Sequence, residues 1–221
     1  MDHPAPEAAP DRPRADLAAD TEVGGTQQAP ASGDFEAAYR GTPPWDIGRP
    51  QPAFLHLAHN GLLRGRVLDV GCGTGEHALL AASLGLEATG IDAAPTAISS
   101  AHGKAHERHL AARFVVGDAL DLAALGERFD TVLDCGLFHV FSDEERPRFV
   151  DSLATAVVPH GYYYLLCFSE QEPGDWGPRR VSQAEIRASF ASGWRVEAIE
   201  CATLEVTFGT AVAWLAQIRR L

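Results

Sequence analysis

The sequence predicts an α/β fold in which helices cover both faces of one doubly wound, mostly parallel sheet. From position 66 onward, short apolar runs ending in glycine, aspartate or serine alternate with helix-like stretches. Most of these runs lack polar alternation, which is typical of strands buried on both faces. The last two runs are close enough to pair antiparallel. We therefore expect a Rossmann-like sheet, mostly parallel, with an antiparallel C-terminal strand.

The chain before the first strand divides in two by composition. Residues 1–33 are rich in alanine, proline and acidic residues and contain no aromatic residue. Such a stretch buries too little apolar surface to offset the entropy lost on ordering, so we expect a disordered tail. Residues 34–63 carry aromatic residues in two helix-like stretches around a proline-rich turn. They are predicted to form an N-terminal helical lid on a single domain spanning residues 34–221.

The strands and helices of the domain follow in regular order. The predicted strands are RVLDVG (66–71), LEATGID (86–92), ARFVVGD (112–118), FDTVLDCG (129–136), YYYLLCFS (162–169), WRVEAIECA (194–202) and FGTAVAWLAQI (208–218). Helices are expected over 76–85 and 95–110. Two further helices should begin at capping boxes, Ser142 with Glu145 and Ser182 with Glu185, although Pro147 would make the first turn of the earlier one irregular.

The composition narrows the classes of partner and location. The formal charge of −12 argues against a nucleic-acid substrate, because phosphate contacts need clustered lysine and arginine. No apolar run approaches the ~18 residues of a membrane span, and the N-terminus does not look like a signal peptide. Four cysteines without CxxC spacing indicate buried, reduced thiols and no metal site. We expect a cytoplasmic protein acting on a small molecule.

The most informative motif is VLDVGCGTG, residues 67–75, where a strand turns through three alternate glycines into a helix. Glycine lets a ligand approach the backbone where a Cβ would block it. The spacing G-x-G-x-G differs from the G-x-G-x-x-G that holds a dinucleotide pyrophosphate. S-adenosylmethionine has no phosphate but carries an ammonium, which a carboxylate can bind. The motif therefore predicts an S-adenosylmethionine site at Asp69, Gly71, Gly73 and Gly75; a nicotinamide-dependent oxidoreductase is the weaker alternative.

Two further carboxylates end the next strands. Asp92 lies about 20 residues after Gly71, the distance expected of a carboxylate that binds a ribose diol, although an isolated aspartate here would more often cap a helix. Asp118, followed by Ala119, ends the third strand, where a carboxylate can accept a hydrogen bond from an adenine amino group. The alternative for Asp118 is also a helix cap.

The fourth strand ends in DCGLFH, residues 134–139, which should line the space where methyl donor and acceptor meet. Asp134 is predicted to lie on the cofactor side of this loop. His139 is the candidate catalytic base, because the unperturbed pKa of histidine lies near neutrality. An orienting or structural histidine is the alternative. The loop lacks the Pro-Pro-aromatic element typical of DNA amino-methylating enzymes.

Together these residues resemble the class I S-adenosylmethionine-dependent methyltransferases, over roughly residues 34–221. The resemblance implies that the three glycines contact the methionine part of the cofactor, Asp92 the ribose, and Asp118 with Ala119 the adenine.

A narrower resemblance lies upstream. TPPWDIGRPQPAF, residues 42–54, is similar to an element of the thiopurine and halide/thiol methyltransferase branch. In that branch the element folds over the cofactor, which implies contacts from Trp45, Gly48 and Arg49. A tryptophan can offer a flat face to a sulfonium or an adenine. The alternative is that Trp45 anchors the N-terminal helices to the sheet. The two prolines before the tryptophan depart from the element and leave the acceptor open.

The function predicted from the sequence is S-adenosylmethionine-dependent methyl transfer to a small molecule. With one weak candidate base and many aromatic residues, we expect a thiol, a heterocycle or a phenol as acceptor, because these need little base assistance. A halide or thiol methyltransferase making volatile products is one alternative, and a non-catalytic S-adenosylmethionine-binding module is another. A loop at 171–180, EPGDWGPRR with its preceding glutamine, should roof the acceptor side with Trp176.

Overall fold

The computed structural model describes residues 35–221, so the predicted tail lies outside the described residues. One sheet of seven strands forms the centre of the fold, in the order β3-β2-β1-β4-β5-β7-β6. The strands are β1 (Arg66–Val70), β2 (Glu87–Asp92), β3 (Ala112–Val116), β4 (Phe129–Cys135), β5 (Val157–Phe168), β6 (Trp194–Val206) and β7 (Gly209–Arg220). Strands β1 to β5 pair in parallel, and β7 is antiparallel to both β5 and β6. The predicted fold class is confirmed.

Six α-helices and two 3-10 helices lie in the described part of the chain. The α-helices are α1 (Phe35–Ala38), α2 (Pro52–His59), α3 (Glu76–Ser83), α4 (Pro95–Glu107), α5 (Glu145–Ala156) and α6 (Gln183–Ser189). The 3-10 helices span Ala119–Leu125 and Phe138–Val140. None of the helices in residues 35–221 is long and apolar enough to cross a membrane.

The central strands are apolar throughout because they are buried on both faces. Successive side chains of a strand point to opposite faces. Val67 and Leu133 pack with buried residues of α2, α3 and α4. Leu68, Val70 and Val132 pack with those of α5 and α6 on the other face. Strand order reverses between β1 and β4, so a crevice is expected at the carboxyl ends of these two strands.

The two predicted capping boxes both form. At α6, Ser182 and Glu185 exchange side-chain and backbone hydrogen bonds. Ahead of α5, the Ser142 backbone N–H donates to Glu145 at 3.0 Å, and the Glu145 N–H donates to the Ser142 hydroxyl at 3.2 Å. Regular helix then begins only at Glu145, in agreement with the irregular first turn expected from Pro147.

Two strand boundaries differ from the sequence prediction. β5 begins at Val157, five residues before the predicted start, and its pairing with β4 shifts register between Phe129 and Thr131. Pro159 and Gly161 hid this start, since both residues are typical of strand irregularities. β6 continues to Val206 beyond its predicted end at 202. β6 is the edge strand and many of its residues are partly exposed, so it can continue through polar residues that suggested its end in the sequence.

Candidate functional site

The glycine turn between β1 and α3 opens at the carboxyl ends of the central strands. Gly73 has φ 50° and Gly75 has φ 86°, a region that favours glycine. A Cβ on Gly75 would lie 2.6 Å from the ring of Phe114, and one on Gly73 would lie 2.6 Å from the hydroxyl of Tyr39. Gly71, at φ 67°, faces Leu137 at a similarly close 3.1 Å. At each of these three positions a Cβ would press on a neighbouring side chain, so the turn requires glycine.

Asp69 leaves one buried carboxylate oxygen without a donor. Its side chain is almost fully buried; Oδ2 accepts a hydrogen bond from the Ala78 N–H at 3.1 Å, whereas Oδ1 has no hydrogen-bond partner. Nδ1 of His77 lies 3.8 Å from Oδ1. His77 Nε2 accepts from the backbone N–H of Gln51 at 3.2 Å. A buried acceptor without a donor is costly, which suits a site that receives a cationic group.

Asp92, at the end of β2, is bonded directly to the glycine turn. Its Oδ2 accepts from the Gly73 N–H at 2.8 Å, and Oδ1 accepts from the Ala94 N–H at 2.9 Å. Burial raises the pKa of this carboxyl. Asp118 is exposed and caps the 3-10 helix that starts at Ala119, because its Oδ1 accepts from the Leu120 N–H at 2.8 Å. Asp118 is thus a helix cap, whereas Asp92 closes the turn before α4 without capping that helix, and both carboxylates keep further acceptor capacity.

Residues 42–51, here called the strap, join the glycine turn to the β6–β7 hairpin. At one end, Asp46 accepts a hydrogen bond from the Thr74 hydroxyl at 3.0 Å. At the other end, the Gln51 side chain bonds both the carbonyl (2.9 Å) and the N–H (2.8 Å) of Glu205. Arg49 pairs with the carboxylate of Glu205. The strap is therefore fixed to both sides of the crevice.

The predicted strap residues lie at different places along this path. The Trp45 indole N–H donates to the Tyr39 hydroxyl at 3.0 Å, and the Tyr39 hydroxyl lies against Gly73. Gly48 is exposed with φ 68°, and its N–H donates to Asp46. The guanidinium of Arg49 forms an ion pair with the carboxylate of Glu205. The structure thus brings Trp45 to the glycine turn through Tyr39, and brings Arg49 to the hairpin.

Tyr39 is a site residue that the sequence reasoning missed. It follows Phe35 by four positions on the first turn of the lid, and both rings contact Trp45 edge-on, at 6.1 Å for Phe35 and 6.2 Å for Tyr39. Burial, together with the charge of Asp92, raises the pKa of the Tyr39 hydroxyl, which stays protonated. The signal available was weak, since two aromatic residues at helical spacing more often form a packing face.

The loop after β4 is held by Asp134, which is completely buried. Its carboxylate accepts from the Tyr163 hydroxyl at 2.7 Å, from the Leu137 N–H at 2.8 Å and from the Phe138 N–H at 3.1 Å. Burial raises the pKa of Asp134 to about 7. This environment favours a role in shaping the loop over the direct cofactor contact expected from the sequence.

His139, at the end of the same loop, is also buried. Its Nδ1 accepts from the Phe168 N–H at 3.1 Å, so the ring proton of the neutral imidazole sits on Nε2. Burial, reinforced by the charges of Arg180 and Arg179, lowers the pKa of His139 to about 3. In this tautomer neither ring nitrogen offers a free lone pair. The geometry favours the orienting role over the catalytic base that the sequence suggested.

These two pKa shifts predict opposite pH dependences of stability. Between pH 7 and 5 an unfolded histidine binds a proton that buried His139 does not, which lowers the free energy of unfolding by about 2 kcal/mol on acidification. Over the same range folded Asp134 binds a proton that the unfolded aspartate does not, which raises the free energy of unfolding by about 2 kcal/mol on acidification. In urea titrations from pH 7 to pH 5, we expect the free energy of unfolding of His139→Gln to rise relative to wild type, and that of Asp134→Asn to fall relative to wild type.

The control for that experiment is His59→Gln, which changes an exposed histidine of α2. Its unfolding free energy should follow the wild-type pH dependence. Absolute stabilities of the variants do not enter the test, because only the change between the two pH values is compared. Parallel curves for His139→Gln, Asp134→Asn and wild type would contradict both assignments.

An aromatic wall continues from the loop toward the outer side of the crevice. The Phe168 ring lies 5.3 Å from His139 and 5.1 Å from Trp176, and Trp176 lies 5.4 Å from Phe208 at the hairpin tip. Phe208 is 63% exposed. The Trp176 indole N–H donates to Glu172 at 3.1 Å. The strap reaches the same hairpin, where the Thr207 N–H donates to the Pro44 carbonyl.

No group of three or more His, Cys, Asp or Glu side chains within residues 35–221 is placed to hold a metal ion.

Comparison with known proteins gives consistent relatives. Residues 67–161 match a family described as a methyltransferase domain. The chain is 40% identical over 181 residues to a 2-heptyl-1-hydroxyquinolin-4(1H)-one methyltransferase of Mycobacteroides abscessus, over 77% of this chain and 80% of the relative. It is 30% identical over 158 residues to a probable thiol methyltransferase 2 of Arabidopsis thaliana, over 70% of each.

Solved structures agree with these relatives. A protein whose structure concerns the conversion of a disulfide bond into a thioacetal group during echinomycin biosynthesis has a TM-score of 0.77 and 40% identity, covering 84% of this chain and 91% of that one. Magnesium protoporphyrin IX methyltransferase of Synechocystis PCC 6803, with S-adenosylmethionine bound, has a TM-score of 0.61 and 22% identity over 76% of each chain. The second likeness concerns the fold alone.

Proposed function

The chain belongs to the class I S-adenosylmethionine-dependent methyltransferases, and we propose that it methylates a small aromatic acceptor at a thiol, a heterocyclic N-hydroxyl or nitrogen, or a phenol. The observation that carries the acceptor class is the pair of accessible rings in the aromatic wall, Trp176 and Phe208, which lie 5.4 Å apart and are backed by buried Phe168. A planar aromatic molecule can pack against such rings, as aromatic pairs do in protein interiors.

The residues around the turn fit S-adenosylmethionine. The Asp69 oxygen without a donor suits the ammonium of the methionine part. Asp92 keeps acceptor capacity for the ribose diol, and Asp118 with Ala119 would meet the adenine. Trp45 and Tyr39 would cover the methionine side, next to Gly73. The Tyr39 hydroxyl accepts from Trp45 and so keeps its own proton free to donate.

When bound, the cofactor supplies an electrophilic methyl group on a sulfonium sulfur. The chain's own part is to position the acceptor and exclude water. Leu137, which is partly exposed, presents apolar surface after the end of β4, and buried Phe168 at the end of β5 supports Trp176. Such a site favours a reaction in which charge is lost, because water would otherwise stabilise the charged reactants. His139 fixes the start of the wall by accepting from the Phe168 N–H.

The relatives support a heteroaromatic acceptor first and a thiol second. The Mycobacteroides abscessus enzyme is named for a hydroxyquinolone, and the Arabidopsis thaliana protein for a thiol. Both groups are weakly acidic and need little assistance to react. The charge of −12 supports a small molecule over a nucleic acid. The four cysteines are free thiols, which supports the cytoplasmic location that we also propose. Cys72 and Cys167 are buried as expected, whereas Cys135 is partly exposed and Cys201 is exposed.

The proposed function is tested with labelled S-adenosylmethionine and a panel of acceptors. We expect label to transfer to 1-hydroxyquinolin-4(1H)-ones and to thiophenols, more slowly to phenols, and not to duplex DNA or transfer RNA. Reactions without acceptor, and with heat-denatured protein, are the controls. Transfer to nucleic acid alone, or to none of the small acceptors while the protein binds the cofactor, would refute the acceptor class.

A further inference from the structure

Arg180 fixes a positive charge against the aromatic wall. Its guanidinium donates to backbone carbonyls of its own loop, among them Trp176 at 2.5 Å, Pro178 at 2.7 Å and Gly174 at 3.2 Å. The same group lies 5.4 Å from the centre of the Phe168 ring and 5.8 Å from that of Trp176. These contacts hold the charge at one place, because the planar fork of arginine loses little freedom per hydrogen bond.

The charge of Arg180 is not neutralised by an ion pair. The neighbouring Arg179 pairs with Asp143 and Glu185. Within residues 35–221, by contrast, no carboxylate forms an ion pair with Arg180. The buried carboxylate of its own loop, Glu172, accepts instead from the Trp176 indole N–H and, at 2.5 Å, from the Val212 N–H.

Other charged groups, both carboxylates and arginines, lie near the Arg180 loop. The carboxylates nearby are Glu170, bonded to the Trp214 indole at 2.6 Å, Glu172, and buried Asp134 under the loop. His139, in the loop after β4, contacts Phe168. The charges that act on its pKa are those of Arg180 and Arg179, and both lower it. Arg180 and Arg179 thus contribute positive charge at His139, whereas Asp69 and Asp134 contribute negative charge at Cys135 on the same loop.

No side chain of the described loop is free to take a proton from an acceptor. His139 uses Nδ1 for the Phe168 N–H, and Asp134 is completely buried under three donors. Burial raises the pKa of the Cys135 thiol well above its usual range, so this thiol stays protonated. None of these three groups is therefore available as a base for the acceptor proton.

We propose that the site takes its acceptor as an anion, the conjugate base of a weakly acidic S–H or heterocyclic N–OH group, and that Arg180 selects this form. This inference rests on the proposed function. The acceptor proton goes to water. The anion's lone pair then forms the bond to the methyl carbon while the carbon–sulfur bond breaks, and its electron pair stays on sulfur. The negative charge of the acceptor and the positive charge of sulfur disappear together. Arg180 acts through its field, since its N–H groups are bonded to the loop.

The test compares an anionic ligand with a neutral one of the same shape. Binding of thiophenol, above its pKa, and of thioanisole is measured with S-adenosylhomocysteine present, so that no turnover is needed. In Arg180→Met we expect the thiophenolate dissociation constant to rise about tenfold and that of thioanisole to stay the same. Arg180→Lys should keep most of the thiophenolate affinity. Arg179→Met, at the paired arginine, is the matched control and should change it less.

Turnover gives a second measurement. The pH profile of kcat with thiophenol reports the pKa of the bound acceptor, which we expect to lie about one unit below its solution value and to return toward it in Arg180→Met. Equal loss of thiophenolate and thioanisole binding, or an unchanged profile in Arg180→Met, would overturn the role of Arg180. Absence of methyl transfer in wild type with normal binding selectivity would instead overturn the proposed function alone.

Discussion

Gly73→Ala is expected to weaken S-adenosylmethionine binding on the order of tenfold to a hundredfold while the sheet remains folded. The new Cβ would lie 2.6 Å from the Tyr39 hydroxyl, so this side chain has to move. The Tyr39 hydroxyl accepts a hydrogen bond from the Trp45 indole, so displacing Tyr39 also displaces Trp45. The two rings that we propose to cover the methionine part of the cofactor would then be lost. A further cost of about 1 kcal/mol comes from the left-handed backbone of Gly73 at φ 50°. Calorimetric titration with S-adenosylmethionine measures the change.

Two controls separate the clash from the backbone strain. Gly85→Ala changes a glycine at φ 77° with nothing within 4 Å of its Cβ, so it should lower stability and leave cofactor affinity unchanged. Tyr39→Phe removes the clashing atom, since the next tyrosine atom lies 3.7 Å away. Gly73→Ala should therefore cost less affinity in a Tyr39→Phe background. Equal cost in both backgrounds would show that Tyr39 does not cover the cofactor.

The fold and the glycine turn were predictable because their signals are local. A strand, a glycine-rich turn and a helix follow one another within residues 66–83, and each reports its own periodicity. The position of Asp92 was also predictable, because it ends a predicted strand and parallel strands bring their carboxyl ends to one edge of the sheet. Its bond to the Gly73 N–H agrees with that placement. The start of β5 at Val157 was less predictable, since a register shift replaces the turn that Pro159 and Gly161 usually indicate.

The rest of the site depends on contacts between distant positions. Arg49 could be assigned to the cofactor by resemblance, but its pairing with Glu205, 156 positions away, follows only from the packing of the strap on the hairpin. Arg180 carries no motif, and its role depends on carbonyls that converge on it in the folded loop. His139 looked like a base because the sequence does not show burial or tautomer.

Asp92→Ala is expected to weaken S-adenosylmethionine binding by roughly 1–3 kcal/mol, which is about fivefold to 150-fold. Two effects contribute. The carboxylate would bind the ribose diol, and its Oδ2 also holds the Gly73 N–H at 2.8 Å. Asp118→Ala removes a comparable but exposed cap, at the Leu120 N–H, and should cost less. Calorimetry with both variants at the same salt concentration measures the difference.

A ligand without the diol distinguishes the two effects of Asp92. The 2′-deoxyribose analogue of S-adenosylhomocysteine lacks one hydroxyl that the carboxylate would accept from, whereas the bond to Gly73 is untouched. In wild type this analogue should bind more weakly than S-adenosylhomocysteine, because Asp92 keeps an acceptor without a donor. In Asp92→Ala the two ligands should bind almost equally. If the analogue is as disfavoured in Asp92→Ala as in wild type, Asp92 supports only the glycine turn, and the ribose is bound by other groups.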